Sequence, residues 1–253
     1  MSERRLTGIR VLVTRPRARA EELCFLLEEE GAEVLAVPLL EVVPPSDDRG
    51  LRAAAERLGR FAWVAFASAP AVEALVEAAR TSGTLGALRR LRVAVVGPGT
   101  ARAARAAGLE VTLEGAGGTG AALGEELLGR LAPGEEVLLP AAEEGRPELE
   151  MALAGTAPVT RVAAYRTERQ AVGDGVWSDV LQRPPGVVLF ASPRTAEAFV
   201  EGGGRPVLGS ARVVAIGPTT AAALGALGVP VAGVADRPTS ADLVEAAVRA
   251  VRG

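Results

Sequence analysis

Two short patterns in this chain put hydroxyl groups and backbone donors where an anion can be held. Gly97-Pro98-Gly99-Thr100-Ala101 and Gly217-Pro218-Thr219-Thr220-Ala221 each follow a β-branched run and lead into an Ala-rich stretch. In such a unit Gly makes the turn, Pro starts a helix, and Thr is expected to cap the first free N–H groups. The same geometry offers bare N–H donors at the positive end of a helix dipole, which suits a carboxylate or phosphate. Ser68 and Ser192 share another slot, in Phe66-Ala67-Ser68 and Phe190-Ala191-Ser192. Each reads as a helix cap and as a second row of anion-facing hydroxyls. Thr14-Arg15-Pro16 closes the first apolar run, which places Arg15 at a strand's carboxyl end, while Arg17 and Arg19 read as a solvated helix face. Gly145-Arg146-Pro147 stands in a similar place later in the chain. Tyr165 is the only tyrosine, and a phenol is a donor that carries no charge.

What the inventory lacks narrows the chemistry. There is no histidine, which removes the commonest general base, the commonest metal ligand and the usual partner of a nucleophilic Ser or Cys. Every basic residue is an arginine, so Schiff-base chemistry and a P-loop lysine are excluded. One cysteine, Cys24, sits among Leu23, Phe25, Leu26 and Leu27 and reads as helix packing; it permits neither an internal disulfide nor a thiolate metal cluster. A net charge of −3 does not suggest a nucleic-acid surface. No apolar run reaches the roughly 18–20 residues of a spanning helix, and the opening Met1–Gly8 has no continuous apolar stretch, so a cytoplasmic location is expected. Gly115-Ala116-Gly117-Gly118-Thr119-Gly120 fits the dinucleotide pattern GxGxxG but does not follow the first strand of its unit. It reads as a flexible loop ending in a cap at Thr119.

The elements that must carry these residues are legible in outline. Short apolar runs, among them Ile9–Val13, Ala62–Ala67, Arg92–Val96, Val159–Ala163, Val187–Phe190 and Pro230–Val234, alternate with helix-like stretches such as Ala18–Glu30. Alternating strand and helix predicts parallel sheets covered on both faces, and nearly all-apolar strands agree with that. The chain also repeats itself: Val93–Ala101 matches Val213–Ala221, Gly108 falls on Gly228 and Thr119 on Thr239, and the register Val11-Leu12-Val13 onto Val137-Leu138-Leu139 carries Leu39 onto Tyr165. Two five-stranded α/β units follow, with a cut near Pro133-Gly134 as the obvious boundary and Val37–Pro45 and Ala163–Gln170 as candidate hinges.

Several of these stretches together resemble uroporphyrinogen-III synthase: Val11–Pro16, Ala94–Ala101, Tyr165-Arg166-Thr167, Leu189–Phe199, Ala215–Ala221 and Pro238–Val244. The likeness runs from about residue 9 to residue 250. It implies two similar five-stranded, parallel-sheet, flavodoxin-like domains with exchanged chain ends, joined by a two-stranded linker. Residues 1–37 with 168–253 would form one domain and 41–163 the other, with linkers 38–40 and 164–167; this replaces the cut at Pro133. The implied reaction closes linear hydroxymethylbilane to uroporphyrinogen III in haem biosynthesis, with inversion of the last pyrrole ring, loss of water and no cofactor. That chemistry fits a chain without histidine, because the substrate's own pyrrole nitrogen expels hydroxide. It needs a folded pose, exclusion of water and one proton donor. Eight substrate carboxylates suit arginines and helix starts. By the resemblance Tyr165 is the candidate acid, and Thr14, Arg15, Ser68, Thr100, Arg146, Ser192, Thr219 and Thr220 are the candidate binding residues. No metal is expected, the partner is a linear tetrapyrrole rather than nucleic acid or a membrane, and the chain is expected to be a monomer. Ala141 stands near a common family arginine and Ala69-Pro70 where Asn-Ala is common, which puts carboxylate contacts there in doubt. The alternative is a non-catalytic tetrapyrrole- or metabolite-binding regulatory domain of the same fold; loss of Tyr165 would favour it.

Overall fold

The computed structural model describes residues 4–15 and 20–252. Pro16, Arg17 and Arg19 lie outside the described residues, as does the start of the helix expected from Ala18. The chain begins β1 (Arg10–Val13), α1 (Glu21–Glu29), β2 (Glu33–Ala36), β3 (Leu40–Val43), α2 (Arg49–Glu56), β4 (Trp63–Phe66), α3 (Ala69–Thr81), α4 (Leu85–Leu88). It continues β5 (Arg92–Val95), α5 (Pro98–Ala106), β6 (Val111–Glu114), α6 (Gly120–Leu128), β7 (Val137–Ala142), α7 (Glu148–Leu153) and β8 (Val159–Arg169). It ends α8 (Asp174–Gln182), β9 (Val187–Phe190), α9 (Pro193–Phe199), β10 (Arg212–Ala215), α10 (Pro218–Ala226), β11 (Gly233–Val234) and α11 (Ser240–Arg252).

Contacts group these elements into two units: residues up to Glu41 together with those from Glu168 onward, and Val42–Thr167. The first unit holds a five-stranded sheet in the order β11-β10-β9-β1-β2, and its registered pairs are all parallel. The other sheet has six strands, β3-β8-β7-β4-β5-β6, where five were expected. The extra strand comes from the stretch read as a hinge. Pro38, Pro44 and Pro45 bracket Leu40–Val43, but those four residues carry no proline and two are β-branched, so they join the sheet edge beside β8. The neighbour, β8, is eleven residues long, well past the Val159–Ala163 run visible in sequence. At the other extreme β11 spans only Gly233–Val234, short of the Pro230–Val234 run read from sequence; Pro230 itself has no N–H for the ladder.

Each sheet is apolar on both faces because successive side chains point to opposite sides. Val64, Phe66, Val93 and Val95 pack into one buried cluster, whereas Trp63, Ala65 and Ala94 from the same strands pack into another. In the first unit Val11, Val13, Val187 and Leu189 face α1 and α11 partners such as Leu27 and Ala247; Leu12, Val188 and Phe190 face Phe199 and Leu224 on the opposite side. Phe199 meets the ring edges of Phe190 and Trp177 at 5.3 and 5.1 Å between centroids. Truncating so enclosed a ring to Ala typically costs about 3–5 kcal/mol. Among the described residues no helix is long and apolar enough to cross a membrane.

Candidate active site

In a parallel sheet every strand-to-helix turn falls at the carboxyl edge, where ligands of open α/β folds bind. In the Val42–Thr167 unit that edge collects Ser68 after β4, Thr100 after β5, Arg146 after β7, and Tyr165 on β8. Pairing sets Tyr165 opposite Ala142, and the Glu143 amide donates to the Tyr165 carbonyl at 2.7 Å. The Tyr165 ring packs against the apolar cluster below the edge and its hydroxyl lies 3.0 Å from the Ser68 hydroxyl. Ser68 itself is the N-cap residue of α3, with extended backbone, yet its side chain makes no capping bond.

The turn after β7 is held from several sides. Arg161 donates to the Ala142 carbonyl at 2.8 Å, and Gly145 is pressed so close that a Cβ would meet that same carbonyl at 2.9 Å. The Glu143 carboxylate accepts from the Ser46 amide at 2.8 Å, and Arg166 donates to the Ser46 hydroxyl at 2.8 Å. The Ser46 N–H, helped by the nearby Arg166 guanidinium, holds the Glu143 carboxyl below its ordinary range. Arg146 is exposed and lies 3.5 Å from Glu148. Neither Arg161 nor Glu143 belongs to the candidate residues read from sequence. The visible signal for Arg161 is a charge within the Val159–Ala163 run.

A cavity of about 470 Å³ adjoins Tyr165, walled by Val42, Val43, Leu51, Pro70 and Ala74. Its rim carries Asp48, Glu73 and Glu77 against Arg52, and Arg52 is engaged by Asp48 at 2.5 Å. An apolar hollow with an acidic rim disfavours carboxylates.

The helix starts differ from expectation in one respect. Thr100 and Thr220 were expected to cap; the N-cap residues are Gly97 and Gly217, and no side chain caps either helix. Proline at the first helical position moves the boundary back to the glycine and leaves each threonine as the third helical residue. Ala101 and Ala221 make the first backbone bonds, to Gly97 and Gly217, so the amides of residues 99, 100, 219 and 220 are first-turn donors with no backbone partner among the described residues. Thr100 and Thr220 are buried and Thr219 is exposed.

The first unit has a comparable row at its own carboxyl edge: Thr14 and Arg15 after β1, Ser192 after β9, Thr219 and Thr220 after β10. Thr14 is buried and donates to the Leu189 carbonyl at 3.1 Å, so its hydroxyl ties β1 to the β9 end. Arg15 is exposed. Ser192 does cap: its hydroxyl accepts from the Thr195 amide at 3.2 Å. Thr119 likewise caps α6 through the Ala122 amide at 3.2 Å. The two glycines before it serve local geometry: a Cβ on Gly117 would meet that of Ala122 at 2.5 Å, and Gly118 adopts φ +65°.

A family model described as uroporphyrinogen-III synthase HemD matches residues 21–245. A Methanothermobacter thermautotrophicus protein, provisionally named as that synthase, is 33% identical over 219 residues, covering 82% of this chain and 85% of its own. A Synechococcus elongatus uroporphyrinogen-III synthase is 29% identical over 204 residues, 79% and 77% of the two chains. Among solved structures, the Helicobacter pylori enzyme superposes with a TM-score of 0.69 at 18% identity, covering 95% of this chain and 98% of that one. A mutant Thermus thermophilus enzyme gives 0.63 at 23%, covering 97% and 99%. At these identities the structures speak for the fold alone.

Proposed function

We infer the reaction from membership: this chain belongs to the uroporphyrinogen-III synthase family, which closes linear hydroxymethylbilane to uroporphyrinogen III with loss of water. The observation that carries the inference to this chain's own residues is the Tyr165 hydroxyl, set at the carboxyl edge of its sheet beside the start of α3. The reaction asks for a donor to the departing hydroxyl, and a phenol supplies one without adding a charge that the substrate's carboxylates would bind. Tyr165 is thereby the general acid.

Carboxylate binding is assigned to the first-turn amides of α3, α5, α9 and α10 and to Thr100, Ser192, Thr219 and Thr220, with Arg15 and Arg146 at the exposed margins; Ser68 contributes through its place at the start of α3, since its hydroxyl is engaged by Tyr165. Thr14 contributes through its place in the turn, since its hydroxyl is engaged by Leu189. The order β2-β1-β9-β10-β11 supports the flavodoxin-like reading, because numbering those strands along their own unit gives 2-1-3-4-5. The separation of contacts at Glu41 and Thr167 supports domains of 1–37 with 168–253 and of 41–163. Tyr165 and its hydroxyl neighbour also weigh against a purely regulatory tetrapyrrole-binding role.

The test is incubation with hydroxymethylbilane followed by separation of the type I and type III isomers. Spontaneous closure gives type I, so type III product at a rate proportional to protein supports the reading, and type I alone rejects it.

A further inference from the structure

We propose that Ser68 is a positioning residue for Tyr165: it forgoes capping α3 and donates its proton to the phenol oxygen, which leaves the phenol proton aimed at the substrate. The proposal rests on Tyr165 being the acid of the ring-closing reaction.

The observation behind it is an internal control. Ser68 and Ser192 occupy the same motif, Phe-Ala-Ser before a helix with Pro in its first turn. Their backbones agree closely, with φ and ψ of −156° and 151° at Ser68 and −164° and 156° at Ser192. Both conformations are right for an N-cap, and Ser192 uses its hydroxyl as one. Ser68 has the same opportunity and does not take it; its hydroxyl is on Tyr165 instead. A cap is a net stabilising bond, so a serine poised for capping turns away only where something else holds its side chain. That something is present in one unit alone. The repeat places Leu39 where Tyr165 stands, and Leu39 is a fully buried apolar residue of its own unit's core.

Two hydroxyls 3.0 Å apart share one proton between their oxygens, and the direction decides the chemistry. With Ser68 as donor, the phenol O–H remains available. In the step itself the pyrrole lone pair breaks the carbon–oxygen bond, the departing hydroxyl takes the Tyr165 proton and leaves as water, and the phenolate so formed is met by the Ser68 O–H. The proton released when the last ring regains aromaticity returns to that phenolate, so the enzyme ends as it began. A donor already in place for developing charge costs no rearrangement during reaction.

The sole tyrosine makes this directly readable. Protein grown with tyrosine labelled at the ring carbon bearing oxygen gives a single carbon resonance that reports the hydrogen bond at Tyr165. Ser68→Ala should move that resonance and lower kcat for type III formation about 5-fold, the net worth of one hydrogen bond, with little change in KM. Ser68→Thr, which keeps a hydroxyl, should restore both. In a Tyr165→Phe background, Ser68→Ala should have no further effect on kcat, since the group it positions is gone. A resonance unmoved by Ser68→Ala overturns the pairing. A moved resonance with unchanged kcat, or a rise in KM alone, overturns the positioning role. Failure of the acid assignment shows separately, as an unchanged rate in Tyr165→Phe with Ser68 intact.

Discussion

Ser68 and Ser192 close equivalent strands with nearly the same backbone, yet Ser192 holds the Thr195 amide at 3.2 Å while Ser68 holds the Tyr165 hydroxyl at 3.0 Å. Local sequence sets both residues up as helix caps. The tertiary neighbour decides which one acts as a cap.

Stability should therefore separate the two serines. Ser192→Ala removes a working cap and should cost about 0.5–2 kcal/mol, with Ser192→Asp recovering most of it. Ser68→Ala removes no cap; the half-buried phenol can turn to water, and the loss should stay below about 0.5 kcal/mol. Urea titrations of the four proteins measure this. An equal, large cost at both serines would mean that Ser68 caps α3 in solution.

A second expectation concerns the close approach of α6 and α7. A Cβ on Gly124 would lie 2.4 Å from the Ala152 Cβ and 3.5 Å from the Leu149 carbonyl, and neither is a flexible side-chain tip that can swing aside. Gly124→Ala gains about 1 kcal/mol of helix propensity and meets an overpacking cost of about 1–3 kcal/mol. We expect net destabilisation of about 1 kcal/mol by denaturant titration. Adding Ala152→Gly should relieve the clash, so a double variant no better than the single one would place the strain elsewhere.

The alternation of apolar strands with helices, and their burial on two faces, is carried by local pattern and is legible in the sequence alone. So is the Thr119 cap, since Thr precedes a helix with no proline to shift its start. The Gly-Pro-x-Thr turns are legible as helix starts, but the threonine is not the cap that its type suggests; proline at the first position already implies that glycine holds that place. Strand β3 is not legible, because three prolines around Leu40–Val43 outweigh four residues whose pairing depends on β8, far away in sequence. The Ser68–Tyr165 contact spans 97 residues and cannot be read from either local motif. Repetition shows that the two copies differ at Leu39 and Tyr165, but not which serine the phenol reaches.

Acid should loosen the first unit through Arg5. Its guanidinium bonds Glu30, beside the end of α1, at 2.5 and 2.9 Å, and Glu245 of α11 at 2.6 and 2.9 Å. The Arg5 side chain holds both carboxyls below their ordinary value of 4.5. A carboxylate with a depressed folded-state pKa adds stability that is complete above its unfolded value and fades as pH falls through the folded one. Partial exposure limits the effect to about 1 kcal/mol, reduced further by salt. Melts from pH 7 to pH 3 should show Arg5→Ala less stable than the parent at pH 7, with the gap closing as pH falls below the ordinary carboxyl value. A gap that stays constant across that range would assign Arg5 a packing role without linkage.

The last expectation is Tyr165→Phe. The ring is wedged against the apolar cluster of its unit, so phenylalanine keeps the packing and removes only the hydroxyl. Stability should change little, because the hydroxyl's partner Ser68 is half-buried and regains the option of capping α3. Catalysis should change more. Loss of a positioned proton donor costs about 10²–10⁴-fold where proton transfer limits the reaction. Here the substrate's pyrrole nitrogen already drives hydroxide out, so the deficit belongs at or below about 10²-fold. The isomer ratio is a separate matter, since it reflects how the bound tetrapyrrole is folded. We expect Tyr165→Phe to form type III product slowly but still in excess over type I, as measured in single-turnover reactions where chemistry limits the rate. Full-speed type III formation would make the phenol a packing residue and leave the bound pose as the whole of catalysis. A switch to type I at wild-type consumption of substrate would instead make Tyr165 a determinant of that pose.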